Sequence, residues 1–131
     1  MHYQNQTSTA ALSVLIILQL VMLTALYAGV PPHPPVATPL FGIAPLLGAS
    51  LSAAVAAIML GSNTSRAGRL LSLAATVMAL ISFGPQKFFD AQFGLIWPAV
   101  IAGQIASLAV ISSLVSGARF APAAQPEGQE A

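Results

Sequence analysis

Polar and apolar residues are not interleaved along this chain; they are gathered into blocks. Ala11 to Val30, Leu40 to Leu60, Leu70 to Phe83 and Leu95 to Val115 contain no Asp, Glu, Lys or Arg. A hydrocarbon core about 30 Å thick is crossed by roughly 20 helical residues at 1.5 Å each, so three of the blocks have spanning length outright. The third reaches it when its helix starts near Thr64 and the stems of Arg66 and Arg69 run back toward the headgroups. The pattern predicts an all-α, polytopic integral membrane protein, with four transmembrane helices in a small bundle over 11–116. The helices are expected at about 11–30, 40–61, 65–83 and 95–116, after a short polar segment, 1–10, and before a polar, disordered tail, 117–131. The first block is longer than the apolar core of a signal peptide, and MHYQNQTST ahead of it carries no Lys or Arg. A retained helix is expected there.

Composition narrows the function classes. Only 5% of the 131 residues are charged and 56% are hydrophobic, against about 25% charged in an ordinary soluble domain. A water-soluble globule of this size could not cover its surface with four basic and three acidic side chains. The absence of cysteine excludes disulfides, thiolate metal sites and cysteine nucleophiles together. A net charge of +1 offers no basic surface for nucleic acid, so the expected partners are the lipid bilayer and a membrane protein or a second copy of the chain.

The few charges set an orientation. With four spans the N-terminus, the middle loop and the C-terminus share one side, and Arg66, Arg69 and Arg119 all fall there, whereas Lys87 falls on the other. Lys and Arg collect on the cytoplasmic side, which predicts both termini in the cytoplasm of a bacterial inner membrane. Asn5-Gln6-Thr7 and Asn63-Thr64-Ser65 have the form of glycosylation acceptors, but the arginines beside the second put it on the cytoplasmic side, and both read as chance matches.

The first loop, VPPHPPVATPLFGIAP, has five prolines between Pro31 and Pro39 and reads as a stiff, extended connector. His33 lies at its centre with no second His, Cys or carboxylate nearby, so a structural or neutral role is expected rather than a metal site, which needs three or four ligands. Pro45 is expected in the first turn of a helix starting near Gly42, or at a kink if the helix starts at Pro39.

Within the spans the informative residues are small ones and amides. The second span carries Gly48, Ser52 and Ala56 at four-residue spacing, beside Ala49, Ala53, Ala57 and Gly61; the fourth carries Ala99, Gly103 and Ser107 beside Ala102 and Ala106. Such rows let backbones approach closely in lipid, so these two helices are expected to be the interior packers, against each other or across a dimer, with Val110 facing lipid. Gln19 and Gln104 are the only carboxamides inside the blocks. Both are expected near mid-bilayer, each either satisfied by an interhelical hydrogen bond or lining a polar site where the two meet.

The stretch GPQKFFDAQFGLIWP, 84–98, concentrates Gln86, Lys87, Asp90 and Gln92 among Phe88, Phe89, Phe93 and Trp97. It reads as a re-entrant corner on the outer surface: aromatic rings at headgroup depth, Lys87 and Asp90 paired at three-residue spacing, and Pro98 in the first turn of the fourth helix. The other reading is a binding site formed by these polar groups with His33 facing them.

The length and four spans are similar to those of the small multidrug-resistance exporters and of DoxX-type membrane proteins. The first resemblance implies proton-coupled export through a glutamate embedded in the first helix, where this chain has Gln19. No motif specific to either family is present. Without ionisable groups in the spans, a nucleophile or a metal cluster, the chain is expected to be a non-enzymatic accessory or assembly subunit of an inner-membrane complex, with no cofactor. The alternative is a small-solute transporter or channel acting as an oligomer, with polar groups of two chains converging on Gln19 and Gln104. An enzyme at the membrane surface, using Lys87, Asp90 and His33 as acid and base, is a third reading.

Overall fold

The computed structural model describes residues 2–29, 40–89 and 93–119. They form four α-helices, α1 (His2–Ala28), α2 (Leu40–Met59), α3 (Arg66–Phe83) and α4 (Phe93–Arg119), with a short 3₁₀ helix, η1 (Pro85–Phe89), after α3. All four helices are long and apolar enough to cross a membrane.

Helix ends follow local chemistry. Gly29 and Gly61 adopt φ of +64° and +84°, the left-handed conformation that closes α1 and the turn after α2 and that a residue with a Cβ rarely takes. Ser65 caps α3: its hydroxyl accepts from the Gly68 N–H at 2.9 Å. At the far end of α3, the Gln86 amide donates to the carbonyls of Leu80 (3.1 Å) and Ile81 (2.8 Å), groups that the helix itself leaves unpaired.

Each helix neighbours the next in sequence, and α4 closes the ring against α1. α2 and α4 lie diagonally opposite and do not meet among the described residues; α1 and α3 touch across the centre. The core is formed by Leu12, Leu15, Val110 and six alanines, among them Ala54, Ala57, Ala75 and Ala106. Small residues inside mean that the helices meet by close backbone approach. Most of the large apolar side chains point outward instead, including Ile17 and Val21 of α1, Leu70 and Ile81 of α3, and Ile105 and Leu108 of α4. That inversion suits hydrocarbon, where apolar burial does not drive helices together.

Several expectations change. The segment 1–10 is not a lead-in: α1 begins at His2, and at 27 residues its length of about 40 Å leaves its first turns beyond the hydrocarbon. α2 begins at Leu40, which places Pro45 inside it as the sixth residue, and α4 begins at Phe93, which makes Pro98 its sixth residue rather than part of the first turn. The small-residue row of α2 does not pack inward. Ser52 is exposed, Ala56 is half-buried, and a Cβ at Gly48 would meet nothing; the inward face is Leu47, Ser50, Ala54 and Ala57. Small rows occur on several faces of so alanine-rich a helix, and the hydrogen-bonding Ser50 together with Leu47 marks the inner one. The row of α4 does pack, with Gly103 and Ser107 buried, but against α3 and α1 rather than α2. Val110, expected to face lipid, is 0% exposed. The positions 103, 107 and 110 follow i, i+4, i+7, so Val110 continues the same inward stripe.

Candidate functional site

Three polar clusters join the helices, and amides and hydroxyls build all of them. The deepest contains Gln19. It is 1% exposed, and its side-chain amide donates to the Ser50 hydroxyl at 2.8 Å; Ser50 in turn donates to the Ala75 carbonyl at 3.3 Å. This relay ties α1 to α2 and α2 to α3. Ser50 lies nine residues from the end of α2 and Ala75 nine from the start of α3, about 14 Å in from that end of the bundle and so near the middle of a 30 Å core.

The second cluster contains Gln104, whose amide donates to the Phe83 carbonyl at 3.3 Å. Phe83 is the last residue of α3, so one of the carbonyls that a helix end leaves unpaired is satisfied by α4. Beside it Gly103 lies against Phe83, and Ser107 donates back to the Gly103 carbonyl at 2.8 Å. Gln19 and Gln104 therefore do not meet. The α3 carbonyls that Ser50, the partner of Gln19, and Gln104 reach, those of Ala75 and Phe83, are eight residues or about 12 Å apart.

The third cluster closes the end that holds the α2–α3 turn. Asn5 accepts at its side-chain oxygen from the Ser62 hydroxyl and the Asn63 N–H, both at 3.2 Å. With the Ser62 proton committed to Asn5, Thr9 is the donor in its 3.2 Å contact with Ser62. The Asn63 amide donates to the Ser113 carbonyl of α4 at 2.8 Å, and the Ser72 hydroxyl donates to the Ser62 carbonyl at 3.0 Å. A single short turn thereby gathers all four helices. The Asn63 oxygen is buried without a partner among the described residues, as is the Ser8 hydroxyl, and a Cβ at Gly117 would come 2.7 Å from that oxygen. The two glycosylation-type asparagines are thus consumed by each other's neighbourhoods: Asn5 binds the backbone of Asn63, and the Asn63 amide nitrogen binds α4.

Sequence reasoning singled out Gln19 and Gln104 and missed their partners. It also missed Asn5, Ser62, Asn63 and Ser113 as a cluster. Polar residues crowding both the start of α1 and the α2–α3 turn were the available signal, since an even number of crossings returns these two segments to one side. Lys87 lies half-buried in η1, while Asp90 and His33 fall outside the described residues, as does Gln92. The aromatic corner is present in part: the Phe88 and Phe93 rings stand 5.1 Å apart, and Phe89 and Trp97 are exposed.

None of the three clusters carries a side chain that ionises near neutral pH. They can hold helices in register and satisfy one another, and among these side chains no acid or base stands beside a hydroxyl to activate it. The fold and these clusters define a small, four-span, all-α membrane protein whose spans are cross-linked by neutral hydrogen bonds. Comparison of the chain with protein-family models, with curated proteins and with solved structures finds no match.

Proposed function

We propose that the chain is a non-enzymatic accessory or assembly subunit of a bacterial inner-membrane complex, with both termini in the cytoplasm. The observation that supports this is how the polar side chains of the spans are used. Gln19, Ser50, Ser72, Thr76, Gln104 and Ser107 all bond to a neighbouring helix or to their own backbone. A transport path through one chain would call for such groups to face a common lumen, and the two carboxamides are instead tied to different helices, Gln19 to Ser50 of α2 and Gln104 to the end of α3. What is left outward is apolar or small, including Gly48, Ala49, Ser52, Val55 and Met59 on α2, a surface that a larger membrane protein can approach closely.

The test is purification of the tagged chain in a mild detergent from its own host. Recovery of a defined membrane complex in stoichiometric yield supports the reading. Recovery of the chain alone, together with flux of a small solute in reconstituted vesicles, would replace it with the transporter reading.

A further inference from the structure

We propose that the seam between α3 and α4, at the end bearing Arg66, Arg69 and Arg119, binds the phosphate headgroup of an anionic phospholipid. Three of the four basic side chains of the molecule are Arg66, Arg69 and Arg119, and the fold brings them to the same end of two neighbouring helices. Arg69 continues the stripe i, i+7, i+14 with Thr76 and Phe83, and Phe83 is the residue that packs on Gly103 of α4. Arg69 therefore emerges along the α4 side of α3. Arg66, one turn earlier, is exposed just outside it. On α4, Arg119 continues the outward stripe of Ile105 and Leu108, about 60° around the helix from Gln104, which reaches the Phe83 carbonyl of α3, so the long Arg119 stem reaches the seam by bending around α4. The two helices are also held together at this end, where the Asn63 amide binds the Ser113 carbonyl and Gly117 leaves room for Asn63.

These guanidiniums have no carboxylate to pair with among the described residues, because the acidic side chains of the chain are Asp90, Glu127 and Glu130. In the neutral cluster beneath them, Asn5, Ser62 and the Asn63 amide N–H groups are committed to one another and to α4. Arg66 opens one span and Arg119 closes another, which puts both at headgroup depth. A planar guanidinium matches phosphate with two parallel N–H donors, and a net negative headgroup complements three cations at short range.

The experiment uses the full-length protein in detergent, where the direction of insertion has no bearing. Phosphatidylglycerol or phosphatidylcholine is titrated in, and lipid retention is counted by native mass spectrometry beside a thermal melt. The wild type is expected to retain phosphatidylglycerol in preference and to melt higher with it. Arg69→Gln and Arg119→Gln should each weaken that retention about tenfold, the loss of one charge-assisted contact, while Lys87→Gln at the opposite end leaves it unchanged. Arg69→Lys keeps the charge and the fold but loses the planar fork, and is expected to fall between the two. Equal retention of both lipids by the wild type, or undiminished phosphatidylglycerol retention in both Gln variants, overturns the proposal. So does retention that appears only in Glu127→Gln/Glu130→Gln, which would place the acidic tail on the arginines instead.

Discussion

Gly103 of α4 lies against Phe83 of α3 so closely that a Cβ added to the glycine would stand 2.9 Å from the Phe83 Cβ. The neighbour is a rigid ring with its stem against a helix end, so it has little room to give. Gly103→Leu is expected to force α3 and α4 apart and to lower the melting temperature in detergent, at a cost of about 1–3 kcal/mol or more. Gly103→Ala should do the same more mildly. A Gly103→Leu protein that melts and migrates on gel filtration like the wild type would show that this seam does not exist.

Val110 gives a second packing test. Because it is fully buried among Leu12, Leu15 and the alanines of the core, Val110→Leu adds volume where none is free and should destabilise by about 1–3 kcal/mol. Leu108→Val, two positions earlier on the outward face, should change stability by less than about 0.5 kcal/mol. Thermal melts of the two variants side by side decide the matter, and the reverse order would turn α4 over.

For the Gln19 relay, the two single substitutions are expected to differ. Gln19→Leu removes one donor and leaves Ser50 bonded to Ala75, at a cost of about 0.6–2 kcal/mol. Ser50→Ala leaves the Gln19 amide without that acceptor in the interior and should cost more, about 1–3 kcal/mol. The double variant should be less damaging than the sum, since each change removes the same bond. Strict additivity in a thermal double-mutant cycle would mean that the two side chains do not interact.

At the turn, Asn63→Ala breaks the bond to the Ser113 carbonyl and leaves that carbonyl relying on its own helix, while the Asn63 N–H keeps its bond to Asn5. A loss of about 1 kcal/mol is expected, with α4 and α3 separating first. Hydrogen exchange at amides around Ser113 and Gly117 should rise in this variant and remain low around Gln104.

Orientation is checked by single cysteines, which label unambiguously because the chain has none of its own. Cysteines at Thr64 and Gln125 are expected to be cytoplasmic, and those at Pro34 and Asp90 external, since Arg66, Arg69 and Arg119 outnumber Lys87. External labelling at position 64 would invert the molecule.

The sequence by itself determined that the chain is all-α and that it has four spans, because uninterrupted apolar blocks of fixed length leave a backbone in lipid no other way to satisfy its own N–H and C=O groups, although it did not place the start of α1 at His2. It also marked Gln19 and Gln104 as needing partners and Gly103 and Ser107 as a close-packing row. Only the tertiary structure decided which partners and which neighbours. Gln19 takes Ser50 and Gln104 takes the Phe83 carbonyl, because a side-chain amide accepts any donor or acceptor at its own depth and the sequence carries hydroxyls and free helix ends at several. α2 stands diagonal to α4 although both carry small-residue rows, and the α2 row at Gly48 and Ser52 is left outside. In a bundle whose interior and exterior are both apolar, hydropathy no longer distinguishes inside from outside. The choice passes to shape and to a few hydrogen bonds between residues far apart in sequence, such as Asn5 with Ser62 and Asn63 with Ser113, which local pattern does not encode.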